Sequence, residues 1–217
     1  MSASDLLYLA ILATMGISWT IVYLLIIYRS FKDKQCGMPA LALAFNLCWE
    51  FLYSFVFTGS SNSIQMWVNR TWFLFDVVIF AAHLLYTKAY WPKENRKYFY
   101  PFTLFIVVAA YVFLYLFHLD IGETAITYSA YLMNVLISSS FISMLLKQNN
   151  LNGQSFGIAF FKMLGTTAAT IVLFQRYSSF LQFLGILCFV LDVVYIFMIV
   201  NRYKKENLQL ITRKAIR

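Results

Sequence analysis

Glu50 and Asp192 are the two residues of this chain best placed to do chemistry. Glu50 stands in Asn46-Leu47-Cys48-Trp49-Glu50-Phe51-Leu52-Tyr53, inside an apolar run over 38–58. Asp192 stands in Phe189-Val190-Leu191-Asp192-Val193-Val194-Tyr195, inside another. A carboxylate in hydrocarbon costs roughly 2.5–3.5 kcal/mol on insertion scales, and a chain that carries such a group in a span generally uses it. A carboxyl removed from water favours its neutral form and can then donate a proton. That proton can couple to solute transport. It can also go to an epoxide or alkene of a lipid-like substrate, giving a carbocation that aromatic faces stabilise and a dry cavity protects. Composition alone leaves both readings open.

Helical spacing gathers further polar groups around these acids. Asn46, Glu50 and Tyr53 share one face at i, i+4 and i+7, and Tyr195 lies one turn from Asp192. At 1.5 Å per residue Glu50 is roughly 18 Å past Met38 and Asp192 roughly 20 Å past Ser179. The two carboxyls are thus expected at similar depth, facing one cavity. Trp72, Asp76 and His83 fall on related faces, Asp76 nearer the outer surface. Tyr131, Asn134 and Ser138 mark the fifth apolar run, and Lys162, Thr166, Thr167 and Thr170 the sixth. The expected lining is Asn46, Trp49, Tyr53, Trp72, Asp76, Tyr131, Asn134 and Tyr195 around Glu50 and Asp192. Blander roles stand beside it. Intramembrane Asn, Ser and Thr often bond only across helices. Asp76 and His83 can pair with each other or with Arg70, and Lys162 can snorkel to the cytoplasmic interface. No basic residue is expected at the depth of either acid.

The elements that must position these groups are membrane helices. The 217 residues are 61% hydrophobic and 12% charged, against roughly 25% charged in a soluble domain. Seven spans are expected, at 6–28, 38–58, 72–88, 101–117, 125–146, 156–174 and 179–200, each near the roughly 20 residues that cross a bilayer core. The fold class is all-α integral membrane, a seven-transmembrane-helix bundle in one domain over 1–217. The N-terminus lacks a basic region and an A-x-A-like site, so the first span is expected to be retained.

The net charge of +8 is distributed as topology and not as a nucleic-acid footprint. Basic residues gather in 29–34, in 88–100, at Lys147 and in the tail 202–217, while 119–124 has none. The positive-inside rule then puts the N-terminus outside and the basic tail in the cytoplasm. Asn69-Arg70-Thr71 reads as a glycosylation sequon in an outer loop. Cys36, Cys48 and Cys188 have neither metal-ligand spacing nor a disulfide pattern. No convincing internal repeat is visible, which weakens a repeat-built transporter. A retinal protein needs a lysine in the last span, and none occurs there before Lys204.

Ser30-Phe31-Lys32-Asp33-Lys34-Gln35-Cys36-Gly37-Met38-Pro39, followed by Asn46 to Tyr53, resembles the small seven-helix membrane terpene cyclases of meroterpenoid and indole-diterpene biosynthesis. The resemblance continues through Lys88-Ala89-Tyr90-Trp91-Pro92, Gly153-Gln154-Ser155-Phe156, Lys162-Met163-Leu164-Gly165-Thr166-Thr167, Arg176-Tyr177 and Leu191-Asp192-Val193-Val194-Tyr195. Asn134 departs from the family's glutamine and Lys162 from its arginine. The resemblance implies that Glu50 and Asp192 are the catalytic acids, either one protonating a terminal epoxide or double bond of a prenyl chain. It implies a lipophilic prenylated substrate, membrane lipid as the surroundings, and no obligate protein partner. No metal or organic cofactor is implied, because the substrate is not ionised at a diphosphate, and the chain has no D-D-x-x-D run. The membrane would be the plasma membrane in a bacterium and the endoplasmic reticulum in a fungus. The competing expectation is a seven-helix proton-coupled or sugar-type transporter.

Overall fold

The structure, a computed structural model, describes residues 3–60, 63–173 and 178–215. Seven α-helices lie among the described residues: α1 (Ala3–Asp33), α2 (Ala40–Phe51), α3 (Ser63–Tyr86), α4 (Phe99–Ile121), α5 (Ala125–Lys147), α6 (Phe156–Leu173) and α7 (Ser179–Ala215). Four stretches are long and apolar enough to cross a membrane: Asp5–Asp33, Ile64–Tyr90, Lys93–Lys147 and Ser179–Glu206. The third of these holds both α4 and α5. Apolar helix over Ala40–Val56 and Phe156–Val172 is shorter.

Local chemistry sets the breaks. Pro39, with φ −60° and ψ 139°, precedes α2, and its carbonyl accepts from Leu43 N–H at 2.9 Å to start the helix. Gly122 ends α4 with φ 75°, a left-handed conformation that favours glycine. Two 3₁₀ turns flank Trp91-Pro92. Immediately beyond Glu50, α2 does not stop but widens. Leu52–Val56 winds as a π-helix, with Phe57 N–H bonded to Leu52 C=O at 2.7 Å. Such widened turns frequently sit at functional sites.

The helices pack in a closed circuit. α1 lies against α3 and α6, α2 against α3, α4 and α5, and α7 against α5 and α6. Phe105, Val108 and Val112 of α4 and Phe183, Ile186 and Phe197 of α7 point outward and are exposed. An apolar outer surface of that kind suits lipid.

On the side where α1 ends, two loops lock together. The Arg29 guanidinium bonds Leu151 C=O at 2.6 Å and pairs with Asp33 at 2.8 Å, while Asp33 accepts from Gly153 N–H at 2.8 Å. Gly37 and Gly153 touch backbone to backbone: a Cβ on Gly37 would lie 2.6 Å from Gly153 O. The resemblance block 30–39 thus meets the Gly153-Gln154 segment directly.

Three expectations need correction. The third helix starts at Ser63, well before residue 72, because Ser63 to Thr71 continues the same winding. Asn69 is therefore a fully buried residue of α3, its Oδ1 bonded by Gln65 at 2.6 Å, and not a loop sequon. The last helix runs past residue 200 through Ala215. Arg176 and Tyr177 lie outside the described residues.

Candidate active site

A cavity of about 380 Å³ lies inside the bundle, lined by α1, α2, α3, α5 and α6; α4 and α7 supply none of its wall. Its outer end is marked by Tyr8, Gln65, Ile126 and Val172, which sit at helix ends on one side of the bundle. Tyr8 is 40% exposed, so the cavity reaches the surface there. Its floor holds Tyr23, Asn46, Glu50 and Thr166. Between them stand the indoles of Trp19, Trp49 and Trp72.

The floor is a connected polar cluster. One turn of α2 separates Asn46 from Glu50, as the spacing predicts. Asn46 Nδ2 donates to Tyr23 Oη at 2.5 Å and to Asp76 Oδ2 at 2.7 Å. Tyr23 and Glu50 both face the cavity at this floor. Glu50 is 3% exposed and Asp76 fully buried. Glu50 Oε2 and Asp76 Oδ1 have no hydrogen-bond partner. Tyr23 is held by stacking on Trp72, centroids 5.8 Å apart, and Trp72 Nε1 donates to Thr20 Oγ1 at 3.2 Å. Trp49 Nε1 donates to Ser129 Oγ at 2.9 Å. Tyr53, behind the wall, packs on Trp49 at 4.9 Å, and its hydroxyl meets His118 Nδ1 at 3.3 Å.

Asp192 is in a different environment. Its carboxylate accepts from Lys162 Nζ at 2.7 and 3.0 Å, and the same ammonium donates to Ser138 Oγ at 2.6 Å. Lys162 and Asp192 are both fully buried. Ser138 passes the link to Asn134 C=O at 2.9 Å, and Lys162 Nζ sits 5.8 Å from the Trp19 ring centre. A desolvated ion pair is tolerated when its geometry is good and its remaining hydrogen-bonding groups are satisfied. Both conditions hold here.

Asn46, Trp49, Glu50, Trp72, Tyr131 and Asn134 thus come together around the cavity, as expected. Tyr53, Asp76, Asp192 and Tyr195 do not line it. Tyr195 instead donates to Gln154 Oε1 at 2.9 Å and packs on Phe141. Lys162 does not snorkel: it is a fully buried partner at the depth of Asp192, where no basic residue was expected. Asp76 does not pair with His83, whose Nε2 meets Thr103 Oγ1 at 3.2 Å, nor with Arg70, which bonds Ser54 C=O at 3.3 Å. Sequence reasoning missed Trp19 and Tyr23 altogether. Their one signal is an i, i+4 aromatic pair in a largely aliphatic run. The three cysteines are free and buried.

Apolar helices closed around an internal cavity, with a buried carboxyl at its floor and indoles in its walls, define a multi-pass membrane protein with an apolar chamber. Residues 3–205 match the Pyr4-like transmembrane terpene cyclases, and the chain belongs to that family: it is a membrane terpene cyclase. It is 32% identical to "Terpene cyclase macJ" of Penicillium terrestre, over 94% of this chain and 85% of that protein. It is 27% identical to "Terpene cyclase pyr4" of Aspergillus fumigatus, over 85% and 82%. It is 29% identical to "Asnovolin H synthase nvfL" of Aspergillus novofumigatus, over 75% and 68%. No solved structure matches the chain. Family membership sets the transporter reading aside.

Proposed function

We propose that this cyclase starts its reaction by transferring a proton from Glu50 to the terminal epoxide or alkene of a prenylated, meroterpenoid-type substrate lying in the cavity. One observation carries the reading: Glu50 lies at the cavity floor, 3% exposed, and no cation pairs with it among the described residues. In the step the O–H bond of the Glu50 carboxyl breaks, a C–H or O–H bond forms on the substrate, and the electron pair stays on the carboxylate. The polyene then closes ring by ring. The final cation loses a proton or is captured by a substrate hydroxyl. Return of that proton to Glu50 restores the acid and makes the overall change an isomerisation.

The faces of Trp19, Trp49, Trp72 and Tyr23 can stabilise the travelling positive charge through their quadrupoles. Asp192 has another task in this reading. A carboxylate that accepts two hydrogen bonds from an ammonium has no proton to give. It fixes Lys162, which in turn supports Trp19 and, through Ser138, the Asn134 wall. Initiation by acid alone needs neither a metal nor an organic cofactor. All seven helices would cross the membrane as one unit over 1–217, N-terminus outside and the 202–217 tail in the cytoplasm. The basic loops on the locked side support that orientation.

The test is expression beside a prenylated, epoxidised aromatic substrate with product analysis. The parent chain should give a cyclised product and Glu50→Gln none, both accumulating equally in the membrane. Unchanged turnover by Glu50→Gln would overturn the reading.

A further inference from the structure

An indole ring is not one uniform surface. Its face carries negative charge density and its edge positive, and the N–H is part of that edge. A ring that is to stabilise a carbocation must keep its N–H turned away from it. Trp49 and Trp72 both line the cavity, and they are 7% and 8% exposed. Each sends its N–H across to a neighbouring helix. Trp49 Nε1 on α2 donates to Ser129 Oγ on α5, and Trp72 Nε1 on α3 donates to Thr20 Oγ1 on α1. Neither Ser129 nor Thr20 belongs to the cavity lining.

The two hydroxyls are themselves tied down. Ser129 Oγ donates to Ala125 C=O at 2.6 Å and Thr20 Oγ1 to Gly16 C=O at 2.8 Å, each one turn back on its own helix. A hydroxyl has one hydrogen and two lone pairs. With the hydrogen spent on the helix, what it offers the indole is a lone pair in a fixed direction. Each ring is also backed by a tyrosine, Trp49 by Tyr53 and Trp72 by Tyr23. The one polar atom of each indole is thus engaged outside the cavity, and ring carbon is left to face it. The same device occurs twice, on two different helix pairs.

We propose that Ser129 and Thr20 are positioning residues of the cyclisation: each holds an indole N–H out of the cavity, so that Trp49 and Trp72 offer a passing carbocation π-surface and no positive edge. This rests on the reading that a cation forms at Glu50 and travels through this cavity. Trp49 adjoins Glu50 in the chain, so Ser129 acts on the cations formed first. A cation held less well returns a proton to the Glu50 carboxylate before the next ring closes. The C–H bond breaks, its electron pair becomes an alkene, and a partly cyclised product leaves.

Ser129→Ala removes the acceptor for the Trp49 N–H. The ratio of partly to fully cyclised product should rise about 2- to 30-fold, the range one cation–π contact spans. The ultraviolet resonance Raman band that reports indole N–H hydrogen bonding gives a second readout. Its Trp49 component is the one missing in Trp49→Phe, and in Ser129→Ala it should move to the unbonded position. Ser129→Thr keeps the hydroxyl and should restore both the band and the ratio. A serine needed only for folding would change the amount of protein and neither readout. The parent ratio in Ser129→Ala overturns the inference, whether or not the band moves. Complete inactivity of folded Ser129→Ala also overturns it, because indole orientation sets the course of the cascade and not its start. Should Ser129→Ala fail to accumulate, Thr20→Val, close to threonine in shape, puts the same question to Trp72, and a parent ratio there overturns the inference. The acid reading is judged separately: an active Glu50→Gln removes it, and an inactive one leaves it standing whatever the ratios show.

Discussion

Glu50 and Asp192 are both carboxyls buried in apolar helices, yet their surroundings are opposites. Glu50 faces a cavity and has no cation paired with it among the described residues. Asp192 does not line that cavity, has an ammonium on both oxygens and stands on α7, which packs on α5 and α6. An acid without a counter-cation can hold and release a proton. An acid with one is half of a neutral strut. The two proposed roles, acid and strut, follow from the Lys162 neighbour at 2.7 Å and not from position along the helix.

The sharpest way to break the comparison is to neutralise each side. Glu50→Gln should lower cyclisation by at least about 100-fold, the lower end of what a positioned acid contributes, with no loss of thermal stability in detergent. Lys162→Met alone should destabilise the fold by about 3–5 kcal/mol, because it strands a buried carboxylate. Lys162→Met with Asp192→Leu should recover most of that stability and keep measurable turnover. If the double variant is as inactive as Glu50→Gln while remaining folded, Asp192 is an acid after all and the contrast fails. Thermal unfolding and product yield on the same membrane preparations check both statements.

Smaller changes sharpen it. A Cβ on Gly165 would lie 2.8 Å from Trp19 Cδ1 and 3.2 Å from Ser18 Cβ. Gly165→Ala should therefore push the indole into the cavity, costing about 1–3 kcal/mol and altering the product ratio more than the total yield. The product profile by chromatography is the measurement. Tyr131→Phe is the mildest. It removes the 3.3 Å bond to Thr170 from the cavity wall. A stability loss of about 0.5–1.5 kcal/mol, with cyclisation within about threefold of the parent, is expected from unfolding curves and yields.

Much of the scaffold was readable from residue order. Apolar runs marked the α-helices among the described residues, although α2 and α6 fall in apolar stretches shorter than a span, and the 3.6 period put Asn46 and Glu50 on one face. What was not readable is rotation about each helix axis relative to its neighbours. In a soluble helix the polar face marks the outside. Here both sides are apolar, so nothing in α1 says that Trp19 and Tyr23 turn inward. The same silence hid the Lys162–Asp192 pair, which depends on how α6 and α7 face each other. Lys162 was read as an end-of-helix lysine because a lone lysine in an apolar run ordinarily reaches for the headgroups. Asp76 was read as a lining residue or as a partner of His83 or Arg70, and its actual partner Asn46 across the α2–α3 contact has no signature in spacing.

The π-wound stretch Leu52–Val56 makes α2 one residue longer than tight winding would need. Deleting a single codon there would let the coil close to its ordinary pitch. Everything beyond would swing by about 100° around the axis, carrying Tyr53 and Phe57 off His118 while Asn46 and Glu50 stayed in place. The chain therefore carries a built-in dial by which a descendant could re-aim the aromatic packing behind Trp49 without moving Asn46 and Glu50.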